Sequence, residues 1–374
     1  MTRRTKPLRP PATETADTPS GQKHFAVIGA GIAGITCART LLQAGHRVTV
    51  FEKSAGVAGR MATRDSAFGS FDHGAQYFTV RDPRFAEALD TAKGVSRPWS
   101  ATTVRVLDTF GRVAAAGLAA REPHWVPSPG MNALVRRWAQ PLAASTELET
   151  QVTRIERDAL NRQQWQLRTV GTPGTPDAQH VFSGFDGVML AIPNPQAHAL
   201  LRASALLPRM AQQIAKVEVA PCWTLMLAFP QAIATRIGPQ WNAARSTHHR
   251  IAWLARESSK PGRGGIERWT VQASAAWSLE HLEDDAPRIQ AKMLKAFAEV
   301  TGVRAEPSHA EVHRWRYAQT TTPLGASHLW DAKSGIGACG DWCIGHRVED
   351  AFVSGLELAL AALWLDEDPE QALQ

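Results

Sequence analysis

The chain has 374 residues, 44% of them hydrophobic and 20% charged; this length exceeds the size at which one core usually stops growing and predicts two lobes. No apolar run approaches the roughly 20 residues of a membrane helix, so a spanning segment is excluded. The net charge of +6, from 41 basic and 35 acidic residues, is scattered without a basic, aromatic-interleaved stripe; this argues against nucleic acid, and the sign is compatible with a phosphorylated or dinucleotide ligand.

Residues 1–22 are polar and Pro-rich, with Arg3 and Arg4 near the start. They are expected to form a disordered tail, because no apolar segment of export-signal type follows. Residues 25–28 are an apolar run ending in Gly29. A helical pattern follows through Leu41, Leu42 and Ala44 to Gly45, and residues 47–51 read as a second strand. Together, residues 24–52 predict one βαβ unit with parallel strands.

The turn of that unit reads Gly29-Ala30-Gly31-Ile32-Ala33-Gly34, and Glu52, followed by Lys53, closes the second strand. In G-x-G-x-x-G the first glycine permits the turn, the second lets a pyrophosphate approach the helix end, and the third allows close helix-sheet packing. The acidic residue about 20 positions on can accept from ribose hydroxyls. A lone motif of this kind is a weak signal. Strand, helix and acid in register make it a dinucleotide site, without choosing between FAD and a nicotinamide cofactor.

Further along come a Gly-rich stretch at 56–74, a mixed region to about 124, and a helix at 132–140. Strand-like runs at 148–157 and 164–170, with a Gly/Pro hairpin at 171–176, predict an antiparallel meander. Residues 186–192 are an apolar strand stopped by Pro193 and Pro195. The middle third mixes helical patterns at 200–216 and 286–301 with strands at 222–229 and 269–277. A strand at 336–339, then Gly340-Asp341-Trp342, then a helix at 348–365 close the chain. Cys37, Cys222, Cys339 and Cys343 lack the spacing of a disulfide framework or zinc site, which fits a reducing cytoplasm. His248-His249 lack i, i+4 spacing, so no metal is expected.

After Glu52, Gly56, Gly59-Arg60 and Thr63 resemble the segment that amine-oxidase-type flavoproteins place beyond the second strand, where an Arg contacts FAD phosphate. Ala58 stands where that family usually has Gly. Phe71-Asp72-His73-Gly74-Ala75-Gln76-Tyr77, Ser258-Ser259-Lys260-Pro261-Gly262-Arg263 and His313-Arg314-Trp315-Arg316-Tyr317 resemble the renalase-like branch of these enzymes. So do Gly340-Asp341-Trp342 and Arg347-Val348-Glu349-Asp350-Ala351. The resemblance covers about residues 24–365.

What it implies is an α/β fold: a glutathione-reductase-like, Rossmann-type FAD-binding domain with an inserted mixed α+β substrate domain. The FAD-binding domain would take 24–94, 125–195 and 331–366, and the substrate domain 95–124 and 196–330. Non-covalent FAD would be held by Gly29, Ala30, Gly31, Ile32, Ala33, Gly34, Glu52, Lys53, Gly59, Arg60 and Met61. Gly74, Ala75, Gln76, Val152, Gly340, Asp341, Arg347, Val348 and Ala351 complete the set, with Val152 at adenine and Asp341 at a ribityl hydroxyl. Asp341 also reads as an ordinary helix N-terminal residue.

Tyr77, His73, Trp253 and Tyr317 are the catalytic candidates. Each has a plainer reading: packed core for Tyr77, Tyr317 and Trp253, and a backbone-bonded structural histidine for His73. Lys260 and Arg263 read either as ligands for a substrate phosphate or as solvated loop charges. The chain has no convincing triad, metal cluster or carboxylate pair, which suits flavin chemistry. The resemblance implies oxidation of a small molecule, a reduced nicotinamide dinucleotide isomeric with NAD(P)H, with O2 as acceptor and H2O2 as product. An amine oxidase or desaturase of the same superfamily carries the same signatures. A non-catalytic flavin-binding protein is the alternative of another class.

Overall fold

The computed structural model describes residues 21–100, 104–115, 122–171, 179–231 and 241–364. Residues 1–20 of the tail expected over 1–22, and nearly all of the 171–176 hairpin, lie outside them. Strand β1 (His24–Ile28), helix α1 (Ile32–Gln43) and strand β2 (Arg47–Phe51) make the βαβ unit. The strand ends at Gly29 because the chain turns there at φ +104°, and a Cβ would lie 2.4 Å from the Ala191 carbonyl oxygen. Only glycine meets both demands.

Next come the hairpin β3 (Thr63–Ser66) and β4 (Gly69–Asp72) and helix α2 (Pro83–Asp90), whose N-cap Asp82 accepts from the Arg84 amide. Short strands β5 (Ser96–Pro98), β6 (Arg105–Leu107), β7 (Val113–Ala115) and β8 (Trp125–Pro127) lead to α3 (Asn132–Ala139) and β9 (Thr146–Glu147). The expected meander is β10 (Thr150–Arg157), β11 (Trp165–Gly171) and β12 (Gln179–Phe185), followed by β13 (Gly187–Leu190).

The helix expected over 200–216 is two helices, α4 (Asn194–Ala203) and α5 (Pro208–Ile214). Ala205 and Leu207 take left-handed φ of 53° and 44° between them, and Pro208 starts afresh. Strands β14 (Glu218–Phe229), β15 (Ala243–Ser246), β16 (Ile251–Arg256) and β17 (Glu267–Ala273) follow. The strand expected at 269–277 stops at Ala273, because the Ser274 hydroxyl accepts from the Trp277 amide and caps α6 (Ala275–Glu280). Helix α7 (Ala286–Thr301) precedes the long β18 (His309–Thr322), then β19 (Leu329–Asp331), β20 (Ile336–Ala338), α8 (Asp341–Ile344) and α9 (Val348–Leu363).

These strands form two main sheets. A six-stranded sheet runs β19-β20-β13-β1-β2-β9, parallel except for β19. Helices α1 and α9 cross closely on it, because Gly355 has no side chain: a Cβ there would lie 2.1 Å from the Ala33 oxygen. A seven-stranded sheet runs β18-β14-β17-β16-β15-β6-β7, and α7 covers one face with Ile289, Met293, Ala296, Phe297 and Val300. Each sheet draws strands from segments far apart in the chain. The fold is thus α/β, with a Rossmann-type sheet beside a mixed sheet-and-helix lobe. Among the described residues no helix is long and apolar enough to cross a membrane.

Candidate active site

A cleft of about 1120 Å³ is lined by elements of both sheets. At one end stands the start of α1, which has no side-chain cap, so its first amides are left for a ligand or solvent. Gly31 faces open space: a Cβ on it would meet nothing within 4 Å, whereas a Cβ on Gly34 would lie 1.9 Å from the Gly29 oxygen. One glycine is needed by the protein's own packing, and the other leaves room in the cleft. Glu52 is buried, its oxygens accepting from the amides of Ala30 and Ser54, both at 2.9 Å. Thr150 and Val152 of β10 line the cleft beside it.

Further along, Ala58 holds a left-handed φ of 102° and donates its amide to the Ala30 oxygen. The backbone thus keeps the glycine-like geometry of the family motif with a Cβ in place. The Arg60 guanidinium binds Asp341 through both carboxylate oxygens, at 2.5 and 2.9 Å, and reaches the Ala318 oxygen of β18 at 3.2 Å. One residue after β2, one at the start of α8 and one on the other sheet meet here.

The far end is walled by rings. His73 stacks on Trp315 (centroids 5.2 Å apart) and meets His313 edge-on at 4.7 Å. The Trp315 indole donates to the His73 oxygen at 2.8 Å. Burial, with His313 and Arg64 adding to it, pushes His73 down to about 3, and burial beside Arg64 pushes His313 down to about 4. Both imidazoles are neutral near neutral pH, and His73 Nδ1 is buried with no partner among the described residues. Gly74 closes the wall: a Cβ there would lie 2.1 Å from the Arg60 oxygen and 3.3 Å from Trp315. Cys222 and Gln272, from β14 and β17, complete it, and burial pushes the Cys222 thiol up to about 11.

Most of the residues expected at the cofactor line this cleft: Gly29, Gly31, Ile32, Ala33, Glu52, Lys53, Gly59, Arg60, Met61, Gly74, Ala75, Val152, Gly340, Asp341, Arg347, Val348 and Ala351. Ala30, Gly34 and Gln76 do not. Ala30 is turned into the β1–α1 core, Gly34 packs on Gly29, and the Gln76 carboxamide points into a buried polar cluster. Of the catalytic candidates, His73 and Tyr317 line the cleft. Tyr77 and Trp253 lie outside it, their rings packed 5.8 Å apart, with Tyr77 also on His124 at 4.0 Å. Apolar contact in the core outweighs what their sequence neighbours suggested.

Lys260 and Arg263 are neither phosphate ligands nor loop charges. Their side chains are 0% and 1% exposed and pair with Asp72 and Glu257, both 0% exposed. Burial alone would raise the Asp72 carboxyl, but Lys260, Arg263 and the Met131 amide hold it below its ordinary range, whereas burial lifts Glu257. His313, Gln272 and Cys222 were not foreseen at the cleft. A signal existed for the first: in His313-Arg314-Trp315-Arg316-Tyr317 the rings alternate with arginines, as on the two faces of a strand. Arg314 and Arg316 do turn to Glu283, at 3.1 and 2.5 Å. Among the described residues no group of three His, Cys, Asp or Glu side chains could hold a metal.

Comparison with known proteins bears on this geometry. The family described as NAD(P)-binding Rossmann-like domain matches residues 27–92, and that described as flavin containing amine oxidoreductase matches residues 116–363. The tRNA 5-methylaminomethyl-2-thiouridine biosynthesis bifunctional protein MnmC of Acinetobacter baylyi is 55% identical over 47 residues, 13% of this chain and 8% of its own length. The chain therefore matches under a tenth of that relative. The structure of a putative protoporphyrinogen oxidase from Exiguobacterium sp. 255-15 superposes with a TM-score of 0.71 at 15% identity, covering 91% of this chain and 99% of that one. Cyclohexylamine oxidase from Brevibacterium oxydans gives 0.69 at 14% identity, covering 92% and 100%. At such identities the likeness is one of fold.

Proposed function

The chain belongs to the flavin containing amine oxidoreductase family, and from that premise we propose that it is an FAD-dependent oxidase whose substrate is a dihydronicotinamide dinucleotide isomeric with NAD(P)H. The fit of the cofactor rests on features already described: open space before Gly31, uncapped amides at α1, Glu52 at the end of β2, and a ring-walled far end. We place the adenosine by Glu52 and Val152, the pyrophosphate by Gly31 and the isoalloxazine by Gly74 and Ala75. We likewise propose the two-domain division at residues 24–94, 125–195 and 331–366 against 95–124 and 196–330. Flavin supplies the chemistry, accepting a hydride and returning two electrons to O2 as H2O2.

One observation carries the choice of substrate. The described cleft lining holds five Lys and Arg residues (Lys53, Arg60, Arg314, Arg316 and Arg347) and two carboxylates; Arg60 pairs with Asp341 and Arg314 and Arg316 with Glu283 outside the lining, so the local surplus rests on Lys53 and Arg347. Both carboxylates are engaged, Glu52 by backbone amides and Asp341 by Arg60. A cleft of this sign suits two phosphate-bearing ligands and offers no free carboxylate to an ammonium group. The residues have corresponding tasks. His73, His313 and Trp315 give an uncharged, ring-lined wall beside which a planar ring can be held. A dihydropyridine becomes aromatic by losing a hydride alone, so no strong base is required.

An amine substrate is the second reading, favoured by the family description and by the cyclohexylamine oxidase fold match. Oxygen uptake under steady turnover separates the two. Peroxide is expected from 2- or 6-dihydro isomers of NAD(P)H at a kcat/KM at least 100-fold above that of any primary amine or polyamine. The reverse order would overturn the substrate assignment and leave the flavin reading standing.

A further inference from the structure

Lys260 sits where nothing in the proposed chemistry uses it, yet it contacts the back of the cleft wall. Its ammonium has three protons and three acceptors: Asp72 Oδ2 at 2.9 Å, Glu257 Oε1 at 2.9 Å and Gln76 Oε1 at 3.3 Å. The third contact fixes the sense of the Gln76 amide. With its oxygen claimed by the cation, the Gln76 nitrogen must point the other way, where it donates to the backbone oxygens of Asp72 and Gly74. Gln272 of β17 donates to the same Gly74 oxygen at 2.7 Å, and Ala75 donates its amide to Arg60 O at 2.8 Å. Gly74 and Ala75 line the cleft; Gln76 and Lys260 do not.

We propose that Lys260 is a positioning residue for the cofactor cleft: its buried ammonium orients the Gln76 carboxamide, which in turn fixes the Gly74–Ala75 backbone of the wall. Without the cation the Gln76 amide oxygen is left buried and without its donor, and the carboxamide is held against the Asp72 and Gly74 oxygens from one side only, so the Gly74–Ala75 backbone loses its fixed place. Arg263 contacts the same two carboxylates, so the cluster sets two buried cations against two buried anions. Glu257 is itself tied to β17 through the Thr270 hydroxyl at 2.8 Å. The β3–β4 hairpin and the seven-stranded sheet thus meet on one buried cation that also sets the wall. The inference requires a flavin cofactor and is independent of which substrate is oxidised.

The test compares Lys260→Met, Gln76→Leu and the double variant, each purified with FAD. Free FAD released on dilution, the absorption envelope of the bound flavin and its two-electron potential are measured beside the melting temperature. Both single variants are expected to raise the FAD dissociation constant about tenfold, as for one lost charge-linked hydrogen bond. They should shift the flavin band and potential in the same direction, and the double variant should be no worse than the worse single one. Gln76→Leu leaves the four charges intact, so it reports the wall even if Lys260→Met fails to fold. A Gln76→Leu protein with wild-type FAD affinity, band shape and potential would overturn the proposal and leave Lys260 as an anchor between lobes.

Discussion

Gly31 and Gly34 stand three residues apart at the first turn of α1 and are expected to answer alanine in opposite ways. At Gly31 φ is −71° and a Cβ meets nothing. Gly31→Ala should therefore leave the melting temperature of the FAD-free protein unchanged or slightly raised, while FAD affinity falls at least tenfold. Gly34→Ala drives a Cβ onto the Gly29 oxygen and should cost about 2 kcal/mol or more in a denaturant melt, with or without cofactor. Ala58 gives the reverse sign to the usual rule for glycine. Its φ of 102° costs an alanine about 1 kcal/mol or more, so Ala58→Gly should stabilise by about 0.5 kcal/mol after the entropy of the unfolded glycine is subtracted. His73 and His313 set a pH dependence. Their folded pKa values lie below the ordinary 6.5, so the unfolded chain binds protons that the folded chain refuses. Stability is then complete above about pH 6.5 and drops as pH falls from 6.5 toward 3, with His313 levelling off near 4 and His73 near 3. Melts of the His73→Phe variant over that range should show a shallower fall than wild type. Glu52 and the three glycines were legible in the sequence because their chemistry is local, within one turn and one strand. The packing of Tyr77 and Trp253 was not, since their partners lie up to 176 residues away.

At the scale of elements, periodicity found the βαβ unit, α3, α7 and α9 to within a residue or two at most ends. It failed where local chemistry interrupts a continuing pattern, at the two left-handed residues before Pro208 and at the Ser274 cap. It also passed over the full extent of β18, whose alternation puts His313 and Trp315 in the cleft and Arg314 and Arg316 on Glu283. The cluster of Asp72, Glu257, Lys260 and Arg263 was invisible for another reason: β3–β4 and the loop after β16 are brought together only by the tertiary fold. The Arg60–Asp341 pair joins the segment after β2 to α8. Asp341→Asn weakens that clamp and removes a charge-assisted acceptor from the cofactor's side of the cleft. Equilibrium dialysis should show FAD held about tenfold less tightly, with secondary structure unchanged by circular dichroism. Unchanged affinity would mean that Asp341 serves only to order α8.

At the scale of the whole molecule, the two main sheets are each assembled from separated stretches of chain. Charge was legible only as a sum. The basic surplus along the cleft, which rests on Lys53 and Arg347 once Arg60 is paired with Asp341 and Arg314 and Arg316 with Glu283, needed the fold to bring together residues far apart in the sequence. That local sign is the basis for assigning a phosphate-bearing substrate to an enzyme of an amine-oxidoreductase family. The most direct test is anaerobic stopped-flow absorbance of the FAD-loaded protein, mixed in one series with dihydronicotinamide isomers of NAD(P)H and in another with primary amines and polyamines. The account predicts rapid bleaching of the flavin band by the isomers and none by the amines; bleaching by an amine, with the isomers silent, would contradict it.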